Sequence, residues 1–100
     1  MMMMARVLFD VDKAECGVAA LRNQGFTVLT QVLSEEPDYV FAEASRDQAN
    51  SEGDDTHELA DAMLLEVEDI VAPFGSVDDA GPIPVGHVPF QYESPAWRKR

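Results

Sequence analysis

Cysteine is almost missing from this chain of 100 residues, in which Cys16 stands alone. A single thiol excludes an intramolecular disulfide and a zinc site of the multi-cysteine type, and it suits a reducing compartment. Long apolar runs are missing as well. No stretch approaches the ~20 residues of a membrane-spanning helix. The four leading methionines lack the basic flank and the apolar length expected of a signal peptide, so the expected compartment is the cytoplasm. Cations are the third scarcity. Seven Lys and Arg stand against nineteen Asp and Glu, for a net charge of −12, and three of the seven are Arg98, Lys99 and Arg100. Setting those three aside leaves four cations against nineteen acids, a balance of −15. Such a surface repels phosphates, which argues against independent binding of DNA or RNA. It favours a basic protein partner, and it also serves plain solubility.

What is present is enough for one globular domain, with 46% hydrophobic residues. The strongest periodic signal spans residues 56–74, where Leu59, Met63, Val67, Ile70 and Phe74 recur at steps of three and four. That spacing puts them on one face of a helix, with Asp61, Glu68 and Asp69 largely opposite. Asp55 stands at the N-cap position with Glu58 three residues on, and Pro73 and Gly75 close the helix.

Earlier in the chain, residues 5–11 alternate Val7, Phe9 and Val11 with Arg6, Leu8 and Asp10, which is the period of a strand. Asp12, followed by Glu15, reads as the cap of a helix over residues 13–24. Its inner face would be Ala14, Gly17, Val18 and Leu21, with Gly17 permitting close approach to a sheet and Gly25 ending the helix. Residues 26–33 are rich in β-branched side chains and predict a second strand. A break at 34–37, ending in Pro37, precedes a third strand over 38–44, and 46–54 reads as a polar loop. Four of the six prolines lie beyond residue 81, so Ile83, Val85 and Val88 could form only a short edge strand.

The order β-α-β-β-α-β predicts an α+β fold, a ferredoxin-like sandwich with two helices on one face of an antiparallel sheet. Residues 1–81 would form the core and 82–100 a proline-rich edge strand or tail. The alternative is an open α+β arrangement whose C-terminal segment never joins the sheet. Placing the small set Val40, Ala42 and Ala44 under the helices leaves Leu8, Asp10, Tyr39 and Phe41 on the uncovered face. Paired aromatics there resemble a base-stacking platform, but the acids beside them oppose RNA. A homodimer face, or cover by the C-terminal tail, fits better.

No catalytic or metal constellation emerges, and neither enzyme activity nor a cofactor is expected. His57-Glu58-Leu59-Ala60-Asp61 resembles a zinc-peptidase helix, but Asp61 stands where the second histidine belongs. The pairs Asp10/Asp12 and Asp78/Asp79 read as cap and turn residues. His87 is a lone loop histidine. Cys16 has only Lys13 nearby to lower a thiol pKa. Trp97, followed by three cations, can anchor a tail on an acidic surface of this protein or of a neighbour. The best expected partner surface is the outer face of the long helix, with Leu65 among Glu58, Asp61, Glu68 and Asp69.

The step Gly25-Phe26-Thr27-Val28, and a long helix ending in Phe74-Gly75 before an acidic segment, resemble the bacterial regulator of ribonuclease activity B family. The resemblance covers about residues 7–81. It departs from the family's aromatic-Asp-Gly-Trp turn, which here reads Val77-Asp78-Asp79-Ala80-Gly81, and it lacks the family's acidic N-terminal helix and tail. The resemblance implies a ferredoxin-like fold and a non-enzymatic protein that binds and inhibits ribonuclease E. Two readings follow: an acidic regulator of a basic partner, or a small domain self-associating through its open sheet face.

Overall fold

A computed structural model describes residues 1–48, 56–90 and 97–99. In chain order it contains β1 (Met2–Asp10), α1 (Ala14–Asn23), β2 (Thr27–Leu33), β3 (Glu36–Asp47), α2 (Thr56–Val71), β4 (Gly75–Pro82) and β5 (Arg98–Lys99). The fold is α+β. Five strands make one sheet in the order β2-β3-β1-β4-β5, with every neighbouring pair antiparallel. Both helices pack on one face of it. Among the described residues, no helix is long and apolar enough to cross a membrane.

Alternation builds the core. Met3, Ala5, Val7 and Phe9 of β1 point to the helices, opposite Ala44, Ala42 and Val40 of β3. Leu59, Met63 and Val67 of α2 and Leu21 of α1 close over them. The small β3 residues therefore do lie beneath the helices. Ile70 and Phe74, the last steps of the α2 stripe, pack only at its margin. A Cβ at Gly17 would fall inside contact distance of the Phe9 ring, so the missing side chain sets how close α1 lies to β1. Gly25 ends the α1 turn with φ +89°, a conformation that favours glycine.

Several boundaries differ from the sequence expectation. β1 begins at Met2 and ends at Asp10, because Met2 and Met3 pair with Asp47 and Arg46. Those two β3 residues are thus strand, not loop; residues 49–55, including the proposed cap Asp55, lie outside the described residues. Asp12 caps nothing. The N-cap position belongs to Lys13, without a side-chain hydrogen bond, in a turn closed by Lys13 N–H to the Asp10 carbonyl at 2.9 Å. The break after β2 is a turn at Ser34-Glu35, and Pro37 lies within β3. It is tolerated because Asp10 pairs only as far back as Tyr39, and the β2–β3 register is irregular between Gln31 and Leu33.

The largest difference is the fourth strand. It is Gly75–Pro82, directly after α2, and not Ile83, Val85 and Val88. A register shift against β1 between Arg6 and Val7 inserts one extra residue. That bulge leaves Asp78 exposed and turns Asp79 inward, so the Asp-Asp pair belongs to a strand, not a turn.

Candidate functional site

The sheet face away from the helices carries Arg6, Leu8 and Asp10 of β1, Tyr39, Phe41 and Glu43 of β3, and Ser76 and Asp79 of β4, as register and alternation require. Its two ends differ in chemistry. At one end Arg6 lies between Glu43 and Asp79 on the flanking strands. Arg6 Nε and Nη2 donate to both oxygens of Asp79, which is only 1% exposed. Glu43 is 3% exposed and accepts a hydrogen bond from the Phe90 main chain, with His87 Nε2 at 3.3 Å from its other oxygen.

These contacts fasten the C-terminal part of the chain over the sheet. Trp97 lies above Arg6, with 5.7 Å from guanidinium carbon to ring centroid, and fills the space left by Gly81, where a Cβ would come within 2.7 Å of the indole. The next residue points to the opposite face, as strand alternation requires. Arg98 Nε and Nη2 donate to the Asp61 carboxylate of α2 at 2.7 and 3.0 Å. The hydrogen bonds from Arg98 hold the Asp61 carboxyl below its usual range. The acidic surface that the terminal Trp-Arg pair grips is thus the protein's own.

The other end of the face stays open. A groove of about 570 Å³ runs between Leu8, Leu33 and Phe41, with Phe90 closing one end and Arg6 and Asp78 at its wall. Its lining is mainly apolar side chains with a few polar groups, the composition of a site that anchors an apolar side chain. Asp10 and Tyr39 form the next rung beyond Leu8 and Phe41. The structure therefore brings Leu8, Asp10, Tyr39 and Phe41 together on one surface. Phe41 and Leu8 line the groove, Tyr39 is exposed, and Asp10 lies 3.8 Å from Lys13.

The α2 set shares one outer face. Leu65 is 67% exposed, Glu58 and Asp69 are exposed, Glu68 is half-buried, and Asp61 is bound by Arg98. Leu65 does not line the groove between Leu8, Leu33 and Phe41. Cys16 is exposed, as its place on the helical wheel implies. No group of three or more His, Cys, Asp or Glu side chains suited to a metal ion occurs among the described residues.

Cations outside the terminal cluster are spent on internal contacts. Arg46 Nη2 meets Glu66 at 2.5 Å while its guanidinium lies 4.3 Å from the Phe26 ring centroid, and Arg22 donates to the Val28 carbonyl at 3.4 Å. Arg6 is paired with Asp79, and Lys13 lies 3.8 Å from Asp10 at the surface. Sequence reasoning put Arg6 and Glu43 in the alternating sets of this face, but it did not find His87 and Phe90 over it or the pairing of Arg6 with Asp79. One signal was available: an arginine in the middle of an apolar strand needs a buried carboxylate nearby. No protein-family model, curated protein or solved structure matches this chain.

Proposed function

We propose that the protein is a non-enzymatic acidic regulator that binds a basic segment of a partner protein across its open sheet face. The observation that carries this reading is the groove between Leu8, Leu33 and Phe41, an apolar cleft in a molecule of net charge −12. An apolar side chain of the partner would anchor in the cleft. Flanking Lys or Arg residues would meet Asp10 and Asp78 at its margins, and the acidic field would steer the encounter. The outer face of α2 is a weaker contact surface, because Asp61 is already engaged and Leu65 lies outside the groove.

The finer fold reading is the ferredoxin-like sandwich. It is supported by the antiparallel order β2-β3-β1-β4, with β5 added at the edge. A ribonuclease as the partner is the most specific form of the function, and the cytoplasm its setting; the support is the resemblance at Gly25-Phe26-Thr27-Val28 and Phe74-Gly75. Homodimerisation through the same face is the alternative. It is weakened by Phe90 and Trp97, which already cover part of that face.

The test is capture of partners from cell extract at low and high salt by wild type, Phe41→Asp and Leu65→Asp. The expected result is a basic protein that is retained at low salt, released at high salt, and lost with Phe41→Asp only. Loss with Leu65→Asp and retention with Phe41→Asp would move the site to α2. Indifference to salt and to both changes would reject the reading.

A further inference from the structure

The two edges of the sheet are treated differently. At the β4 side the edge is covered by β5, which carries Arg98 and Lys99 and is tied down through Asp61. Charge on an edge strand discourages pairing with other chains. At the other side, β2 has neither charge nor proline in Thr27–Leu33, although 26% of the chain is charged. No described strand pairs with its outer edge. Arg22 reaches the Val28 carbonyl from α1. Alternation then makes Val28, Thr30 and Val32 the positions whose main-chain groups face away from β3.

Beside this edge lies a second groove, of about 660 Å³, between α1 and β2. From α1 it is lined by Glu15, Val18, Ala19 and Arg22, a stripe at helical spacing, and from β2 by Thr30 and Val32, the latter 59% exposed. The stripe has an acid at one end, a base at the other and small apolar residues between.

We propose that this surface takes a second copy of the chain, pairing β2 with β2 antiparallel about a two-fold axis near Thr30. Three features select this occupant. In a molecule of net charge −12, two copies can approach only where acids are sparse, and β2 has none. A two-fold axis through Thr30 sets Val28 opposite Val32 of the partner copy; Arg22 gives up its 3.4 Å contact with the Val28 carbonyl, the outward main-chain groups find partners and the two sheets become one. The same axis runs the two α1 helices past each other in opposite directions. Glu15 of each copy then faces Arg22 of the other, and Val18 and Ala19 let the helices come close. The groove of each copy is filled by Val32 of its partner.

Sedimentation equilibrium of the full chain, over a range of concentrations, tests the proposal with Val32→Lys, Arg22→Glu and the swap Glu15→Arg/Arg22→Glu. The expected result is a reversible dimer for wild type and a monomer for Val32→Lys with an unchanged far-UV spectrum. Arg22→Glu should weaken the dimer roughly tenfold, because two symmetry-related pairs change from attraction to repulsion, and the swap should restore it. If Val32→Lys does not fold, the Arg22→Glu and swap pair decides alone. A wild type that stays monomeric overturns the proposal. So does a dimer that ignores Val32→Lys and Arg22→Glu, or one lost only with Phe41→Asp, which would place the contact on the open face.

Discussion

Arg6 holds one half of the open face together, and its value lies in what its removal leaves behind. Asp79 is 1% exposed and receives both guanidinium donors, so Arg6→Met strands a buried carboxylate. Breaking a buried pair from one side costs about 3–5 kcal/mol, whereas replacing both members with apolar residues of like volume is near neutral. Arg6→Met is therefore expected to lower stability by about 3 kcal/mol, and Arg6→Met/Asp79→Leu to recover most of it, in urea melts. A second residue-scale prediction concerns Gly17. Its absent side chain makes room for Phe9, and Gly17→Ala should cost about 1–3 kcal/mol through overpacking, despite alanine's better helix propensity. A melt showing stabilisation would contradict that account. Gly17 was legible in the sequence because a glycine in the middle of an amphipathic helix is costly without a packing reason. Asp79 was not. Two adjacent aspartates resemble a turn, and only the bulge opposite Arg6 and Val7 separates their roles.

At the scale of elements, the helices and the first three strands follow from periodicity, and the face assignment of β3 follows from the small size of Val40, Ala42 and Ala44. β4 was illegible for a physical reason. Gly75–Pro82 has one β-branched residue, Val77, and gains its strand conformation from pairing with β1 rather than from local preference. The methionines of β1 were passed over similarly, since Met has no strong strand signature; Met3 and Met4 are nonetheless buried. The C-terminal element is held by Trp97 on one face and by Arg98 on Asp61 of the other. The Asp61 carboxyl is held below its usual range by Arg98, so its contribution is present above the unfolded-state value and lost as pH falls through the depressed one. Asp61→Asn should accordingly lower the melting temperature slightly near neutral pH, and the difference from wild type should vanish in acid. A difference that persists or grows in acid would show that this ion pair does not fasten β5.

Across the whole molecule, charge and shape combine. Arg6, Arg46 and Arg98 are drawn into contacts with Asp79, Glu66 and Asp61, and nineteen acids against seven cations leave a mainly acidic exterior around the apolar cleft. The charge balance was plain from composition. The cleft was not, because it needs β4 and Phe90 beside Leu8 and Phe41, and neither element had a local signature. The central claim is that this cleft receives a basic, apolar-anchored segment. It is tested most directly by amide chemical-shift mapping of the ¹⁵N-labelled full chain during titration with a short peptide of one phenylalanine flanked by arginines. The account predicts saturable shifts at Leu8, Leu33, Phe41, Ser76 and Phe90, weakened by salt and abolished by Phe41→Asp. Shifts confined to α2 around Leu65, or spread evenly over the acidic surface, would contradict it.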